Sequence, residues 1–125
     1  MTDLDRTILI VEDDELLRDA FKLLLEDAGY QVLEAGTAAR AIELATERLP
    51  ALVVLDLGLP DAPGLDVVRT LRMDPDMVDL PVIALTGRVG PAEERECLAA
   101  GCDRYLPKPV SPAELLRELP TLIRR

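Results

Sequence analysis

With 125 residues, 49% of them hydrophobic, the chain can form one domain with a real core, and that core must be aliphatic because there is no Trp, one Phe and two Tyr. A formal net charge of −10 argues against a nucleic-acid surface, because phosphate binding depends on clustered Lys and Arg, and it repels anionic lipid. The absence of histidine removes Ser-His-Asp and Cys-His catalysis, His-containing zinc sites and any phosphohistidine carrier role, so a metal site here must use oxygen ligands, which favours Mg2+ or a similar hard ion.

Short β-type runs alternate with helical patterns along the whole chain. Ile8-Leu9-Ile10-Val11 is apolar and β-branched, the pattern of a buried strand. Asp14 caps a helix predicted to reach about Ala28, with Leu17, Ala20, Phe21, Leu24, Leu25 and Ala28 at helical spacing and Gly29 as its stop. Tyr30–Glu34 reads as the second strand, and Thr37 caps a helix from Ala38 to about Arg48, ahead of Pro50. Leu52–Leu55 is the third strand. The loop Gly58–Pro63 leads into a helix near Gly64–Arg72, where Gly64 is expected to serve turn geometry alone. Val82–Leu85 is the fourth strand. Gly90-Pro91 followed by Glu93-Glu94 marks a helix start, with proline at the first position and acids at the positive dipole end. That helix ends near Gly101 and has Leu98 as its main large apolar residue. Arg104–Leu106 is a short fifth strand. Ser111-Pro112-Ala113-Glu114 combines an N-cap, an N1 proline and a capping-box glutamate, and opens a last helix carrying Leu115, Leu116, Leu119, Leu122 and Ile123. Pro120 is expected to kink that helix or end it near Leu119.

Five βα units without linker, repeat or low-complexity tract imply a parallel sheet with helices on both faces, a single α/β domain spanning 1–125. The longest purely apolar run is about five residues, far short of the ~18 of a membrane span. The first residues lack the basic and apolar regions of a signal peptide, so a cytoplasmic location is expected. Cys97 and Cys102 match no zinc or redox spacing and read as small apolar fillers kept reduced.

The strand ends carry the chemistry. Ala51-Leu52-Val53-Val54-Leu55 closes abruptly at Asp56, with Gly58 and Pro60 just after it; Ile8–Val11 closes at Glu12-Asp13; Pro81–Leu85 closes at Thr86-Gly87; and Tyr105-Leu106 precedes Pro107-Lys108-Pro109. In a parallel sheet these ends share the edge where open α/β sheets bind ligands. Carboxylates brought ~4 Å apart repel by ~4 kcal/mol at an effective dielectric of ~20, so Glu12, Asp13 and Asp56 together call for a cation. Lysine is scarce, only Lys22 and Lys108 against 12 arginines, and its use at 108 points to a need for a compact ammonium rather than a planar fork.

The segments Ile8-Leu9-Ile10-Val11-Glu12-Asp13-Asp14, Leu55-Asp56-Leu57-Gly58-Leu59-Pro60, Ala84-Leu85-Thr86-Gly87 and Tyr105-Leu106-Pro107-Lys108-Pro109, in this order, resemble the receiver domain of two-component response regulators. The resemblance runs from about Thr7 to Ile123. It implies a flavodoxin-like, doubly wound (βα)5 three-layer sandwich with strand order 2-1-3-4-5. It assigns Asp56 as phosphoacceptor, Glu12 and Asp13 with Asp56 and the Gly58 backbone carbonyl to Mg2+ or Mn2+, and Thr86 and Lys108 to the phosphoryl oxygens. The donor would be a sensor histidine kinase or a histidine phosphotransfer protein. A phosphoryl group on Asp56 would draw in the Thr86 hydroxyl and admit Tyr105, switching the 91–123 face toward a downstream protein partner. The family's Lys108-Pro109 bond is cis. Such a domain catalyses only its own phosphorylation and dephosphorylation. It would act as a monomer or a weak phosphorylation-dependent dimer, with no direct contact to nucleic acid or membrane.

Three positions depart from or tune the pattern. Pro63 stands where an aspartate is common, Val110 where phenylalanine often follows Lys-Pro, and Arg88 where the family adjusts dephosphorylation. With no output domain after Arg125, the chain looks like a stand-alone, chemotaxis-regulator-like receiver, and a domain of a longer regulator or hybrid kinase fits as well. A haloacid-dehalogenase-type phosphatase would need a second Asp two residues beyond its nucleophile, where this chain has Gly58. A flavodoxin-like cofactor binder would need a Ser/Thr-rich phosphate loop. A degenerate receiver, working as a phosphorylation-independent interaction module, is the alternative; the intact set Glu12, Asp13, Asp56, Thr86 and Lys108 opposes it.

Overall fold

The computed structural model describes residues 6–123. Its elements alternate strictly: β1 (Thr7–Val11), α1 (Glu15–Asp27), β2 (Gln31–Ala35), α2 (Ala38–Arg48), β3 (Leu52–Asp56), α3 (Gly64–Arg72), β4 (Val82–Thr86), α4 (Pro91–Ala100), β5 (Arg104–Pro107) and α5 (Pro112–Leu122). The strands form one five-stranded sheet in the order β2-β1-β3-β4-β5, parallel throughout.

Strand periodicity explains the three layers. Successive side chains of a strand point to opposite faces. Leu9, Val11, Val53, Leu55, Val82 and Ala84 therefore pack with α2, α3 and Cys97 of α4 on one side. Ile8, Ile10, Leu52, Val54, Ile83 and Leu85 pack with Phe21 and Leu25 of α1 and Leu115, Leu119 and Leu122 of α5 on the other. The central strands β1, β3 and β4 are buried along their full length, which is why they read as unbroken apolar runs.

Helix starts follow their capping residues. Asp14 accepts from the N–H groups of Leu16 and Leu17, Thr37 from Arg40 and Ser111 from Glu114. Gly29 follows the end of α1 with φ 97°, as a stop glycine should. The C-terminus of α4 closes in a Schellman arrangement. Cys102 N–H donates to the Cys97 carbonyl and Gly101 N–H to Leu98, both at 3.1 Å, with Gly101 at φ 115°. Both cysteines are free and buried, and burial pushes the Cys102 thiol up to about 12, so they act as apolar filler.

Two expectations are corrected, for Pro120 and Gly64, and α4 is anchored by a small residue. The early end of α5 near Leu119 does not occur: the helix continues past Pro120 to Leu122, with Ile123 N–H donating to the Leu119 carbonyl at 3.0 Å. An interior proline costs ~3 kcal/mol, and burying Leu119 and Leu122 at ~1.5–3 kcal/mol each outweighs it. The apolar anchor of α4 is Cys97, 2% exposed, whereas Leu98 is 46% exposed. Gly64 is a close-approach glycine rather than a turn glycine. A Cβ there would lie 2.6 Å from Leu57 Cα and 3.0 Å from the Leu57 carbonyl.

Leu49 caps α2 in the left-handed region (φ 44°, ψ 64°) and is largely exposed. A non-glycine residue pays ~1–2 kcal/mol there, partly offset by the greater chain entropy of glycine. Leu49→Gly should therefore raise stability by about 0.5–1 kcal/mol, read as a higher urea midpoint at unchanged m; a lower midpoint would refute the strain. Gly64→Ala should lower stability by about 1–3 kcal/mol, because the obstacle is backbone rather than a flexible side chain. An unchanged midpoint would show that α3 can shift freely from Leu57.

Candidate functional site

Parallel register delivers four strand ends to one edge of the sheet. Asp56, the last residue of β3, pairs with Leu85, and Thr86, the last of β4, pairs with Pro107. Backbone bonds extend this register into the loops. Glu12 N–H donates to the Ala35 carbonyl at 3.0 Å and Lys108 N–H to the Thr86 carbonyl at 2.7 Å. The Lys108-Pro109 bond is cis, as the family resemblance implies.

Glu12, Asp13 and Asp56 each bring a carboxylate oxygen within 4.8 Å of the others. Glu12 is 2% exposed and Asp56 5%, so two of the three sit in protein rather than water. Lys108 Nζ lies 3.2 Å from both Glu12 Oε1 and Asp56 Oδ1. The Gly58 N–H also donates to Asp56 Oδ1, at 3.2 Å, and the Asp14 N–H to Glu12 Oε2, at 3.1 Å. The Arg18 guanidinium holds the Glu12 carbonyl at 2.9 Å and faces Glu34 of β2, fixing the β1 exit from the far side.

Charge does not balance here. Burial, with the Asp56 carboxylate beside it, pushes the Glu12 carboxyl up despite the Asp14 N–H and Lys108. Burial works against the charge on Lys108, yet Asp56 and Glu12 outweigh it and hold the ammonium above its ordinary value. One ammonium against three clustered carboxylates leaves excess negative charge on oxygen ligands, the donor set of a hard divalent cation. The site therefore fits Mg2+ or Mn2+ on its own chemistry.

Thr86 borders the same cleft, about 710 Å³ in volume, together with Asp56, Gly58, Gly87 and Lys108. Its Oγ1 accepts the Arg88 N–H at 3.0 Å. The Arg88 carbonyl in turn accepts a hydrogen bond from the Tyr105 hydroxyl. Arg88 of the β4–α4 loop thus stands between the two hydroxyls, its N–H bonded to one and its carbonyl to the other. A Cβ at Gly87 would meet nothing within 4 Å, so this wall of the cleft is open.

All the residues picked out from sequence converge. Glu12, Asp13 and Asp56 cluster, Lys108 bridges two of them, and Gly58, Thr86 and Tyr105 line the shared cleft. Two contributors escaped the sequence reading. Arg18 offered only its place one turn into α1. Asp61, whose carboxylate receives the Ala38 and Ala39 N–H groups, lies 23 and 22 residues away from them in sequence and gives no local signal.

Comparison with known proteins bears on this edge directly. The family model described as response regulator receiver domain matches residues 8–120. The phosphate regulon transcriptional regulatory protein PhoB of Pseudomonas aeruginosa is 38% identical over 120 residues, covering 96% of this chain and 52% of that protein. The chain thus spans about half the length of the curated relatives it matches. A putative response regulator from Chloroflexus aurantiacus superposes with a TM-score of 0.90 at 30% identity, covering 96% of this chain and 98% of that one. The receiver domain of a Pseudomonas aeruginosa sensor histidine kinase, solved with a magnesium ion coordinated in its active-site cleft, superposes at 0.86 and 30% identity over 94% and 96% of the two chains. Family match, strand order and the acidic edge agree, and the chain belongs to the response regulator receiver domain family.

Proposed function

We propose that this domain accepts a phosphoryl group on Asp56 from a phosphohistidine, in a Mg2+-dependent transfer, and thereby controls a protein partner. The observation that carries the proposal is the meeting of Asp56 with Lys108 Nζ at 3.2 Å inside a buried carboxylate cluster. In the transfer, an Asp56 carboxylate oxygen attacks phosphorus. The P–N bond breaks, its electron pair returns to the imidazole nitrogen, and an acyl phosphate remains on Asp56.

Glu12, Asp13 and Asp56, joined by the Gly58 carbonyl, would hold the cation. When bound, Mg2+ neutralises the carboxylates and the incoming phosphoryl oxygens, so that an anionic nucleophile can approach. Lys108 supplies a fixed positive charge from the opposite side and orients Asp56. The exposed Gly87 leaves room for the group, and the Thr86 hydroxyl, which lines the same cleft, would turn from Arg88 to donate to a phosphoryl oxygen. Attack by water on the same phosphorus returns the carboxylate, so the domain turns over its own modification and no diffusing metabolite.

Turning Thr86 toward a phosphoryl group would release the Arg88 N–H and loosen the residue whose carbonyl Tyr105 holds. The 91–123 face would change with it and meet the downstream partner. A sensor histidine kinase or histidine phosphotransfer protein is the donor class. The domain works in the cytoplasm, as a monomer or a weak phosphorylation-dependent dimer, and makes no direct contact with nucleic acid or membrane. Family membership and the acidic surface support these assignments; among the described residues no helix is long and apolar enough to cross a membrane.

Incubation with Mg2+ and acetyl phosphate should add one phosphoryl group to the wild type and none to Asp56→Asn, by intact mass. The adduct should be labile to base, and beryllofluoride should shift the Thr86 and Tyr105 resonances. An unmodified wild type would favour the phosphorylation-independent module instead.

Mg2+ at 100 times its dissociation constant should add about 2.7 kcal/mol of stability, roughly 10 °C in Tm. At a fixed Mg2+ concentration that gain should grow with pH, because the dissociation constant falls as Glu12 ionises. The Glu12 carboxyl is raised in the folded state, so the folded protein binds the extra proton: its contribution is present below the ordinary glutamate range and lost as pH rises through the elevated value. The metal binds the ionised form and reverses that loss. Thermal melts from pH 4 to 8 with Mg2+ and with chelator check this; a Mg2+ increment independent of pH would sink it.

A further inference from the structure

We propose that Asp61 is a positioning residue for the cation and the phosphoacceptor, acting by pinning the β3–α3 loop to the start of α2. The inference rests on the phosphoacceptor reading above and extends it to a residue outside the clustered ligands.

The argument starts from the four N–H groups that every helix leaves without partners at its N-terminus. In α2 the three that follow the cap are satisfied from two different segments. Thr37 does the ordinary work: its hydroxyl accepts from Arg40 at 3.1 Å, and its carbonyl takes the first intrahelical bond, from Ala41, also at 3.1 Å. The first two N–H groups go elsewhere. Ala38 donates to Asp61 Oδ1 at 2.8 Å and Ala39 to Asp61 Oδ2 at 3.1 Å, across 23 and 22 residues of sequence. One exposed carboxylate thus makes two charge-assisted bonds at the positive end of a helix dipole. The two N–H groups hold the Asp61 carboxyl below its ordinary value.

What this joins is unequal in rigidity. The start of α2 is anchored by buried Ala38, Ala41, Leu44 and Ala45. Residues 57–63 have no regular structure, and Gly58 and Pro60 are exposed. The base of that loop is closed by Gly64, whose N–H donates to the Leu57 carbonyl at 3.1 Å and which has no room for a Cβ against Leu57. Its tip is held by Asp61. Between these two fixings lies Gly58, whose N–H sets Asp56 Oδ1 and whose carbonyl is proposed to face the cation. Outer partners that fix a ligand's orientation commonly control affinity as strongly as some ligands do. Water could satisfy the first N–H groups of α2 equally well, but water would not hold the loop.

The two roles of Asp61 separate in a comparison with Thr37, which caps the same helix without touching the loop. Mg2+ affinity by titration calorimetry, the Gly58 amide resonance, Tm, and the initial rate of phosphorylation by acetyl phosphate would be measured for wild type, Asp61→Ala, Asp61→Asn and Thr37→Ala. Both alanine variants should lower Tm. Only Asp61→Ala should also weaken Mg2+ binding, by roughly tenfold, and displace the Gly58 amide. Asp61→Asn keeps one acceptor oxygen and should fall between. Wild-type Mg2+ affinity in Asp61→Ala, or an equal loss in Thr37→Ala, overturns the positioning role. A wild type that binds no Mg2+ and takes no phosphoryl group overturns the phosphoacceptor reading itself.

Discussion

The structure depends on a repulsion that it does not resolve alone. Glu12, Asp13 and Asp56 crowd together at the carboxyl edge of the sheet, two of them buried, with the Lys108 ammonium as their near counter-charge. Removing one partner from such an arrangement leaves an uncompensated charge in low dielectric, which costs far more than a surface ion pair returns. The arrangement persists because the backbone beneath it is over-determined. Three fully buried strands, the Glu12-to-Ala35 and Lys108-to-Thr86 backbone bonds, and the Arg18 contact leave the carboxylates nowhere to relax. A site held apart from its electrostatic minimum by a rigid sheet has a strong and specific demand for cationic, oxygen-seeking species.

Such a sheet can be read from sequence because its rules are local. Buried parallel strands are unbroken apolar runs, and Ile8–Val11, Leu52–Leu55 and Val82–Leu85 declare themselves as such. The caps at Asp14, Thr37 and Ser111 depend on neighbours two or three residues away. A carboxylate or hydroxyl at the end of an apolar run falls on a definite edge once the strands are parallel, so Asp56, Glu12, Asp13 and Thr86 were legible together. Lys108 was legible through its rarity and its two flanking prolines.

What remained hidden was set by contacts between distant segments. Pro120 looks like a helix breaker until the burial of Leu119 and Leu122 is weighed against it. Gly64 resembles a turn residue until the Leu57 backbone is found 2.6 Å from its absent Cβ. Leu98 has the size of a core residue, yet the pitch of α4 places Cys97 inward instead. Asp61 reaches α2 across 23 residues, a distance over which no capping pattern can be recognised.

The proposed switch would need a route from the edge to the 91–123 face, and the two ends of α4 differ in the way such a route requires. α4 is fixed unevenly. Its last turn meets the Arg72 guanidinium, which holds the Gly101 carbonyl at 2.8 Å, the Leu80 carbonyl at 2.8 Å and Asp103 at 3.2 Å. Asp103 also accepts the Val82 N–H at 2.8 Å, so the C-terminus of α4 is tied to the start of β4. Its first turn has no side-chain cap and begins at Gly90, and Cys97 is its one buried residue. A helix clamped at one end and lightly held at the other responds to a small force by pivoting about the clamp. In the proposed switch Arg88 would carry such a force to the free end, because its N–H bonds Thr86 and its carbonyl bonds Tyr105. Stiffness beneath the carboxylates and a lightly held start of α4 are therefore complementary: the first makes the charge cluster demanding, and under the proposed function the second would let its satisfaction be felt at the 91–123 face.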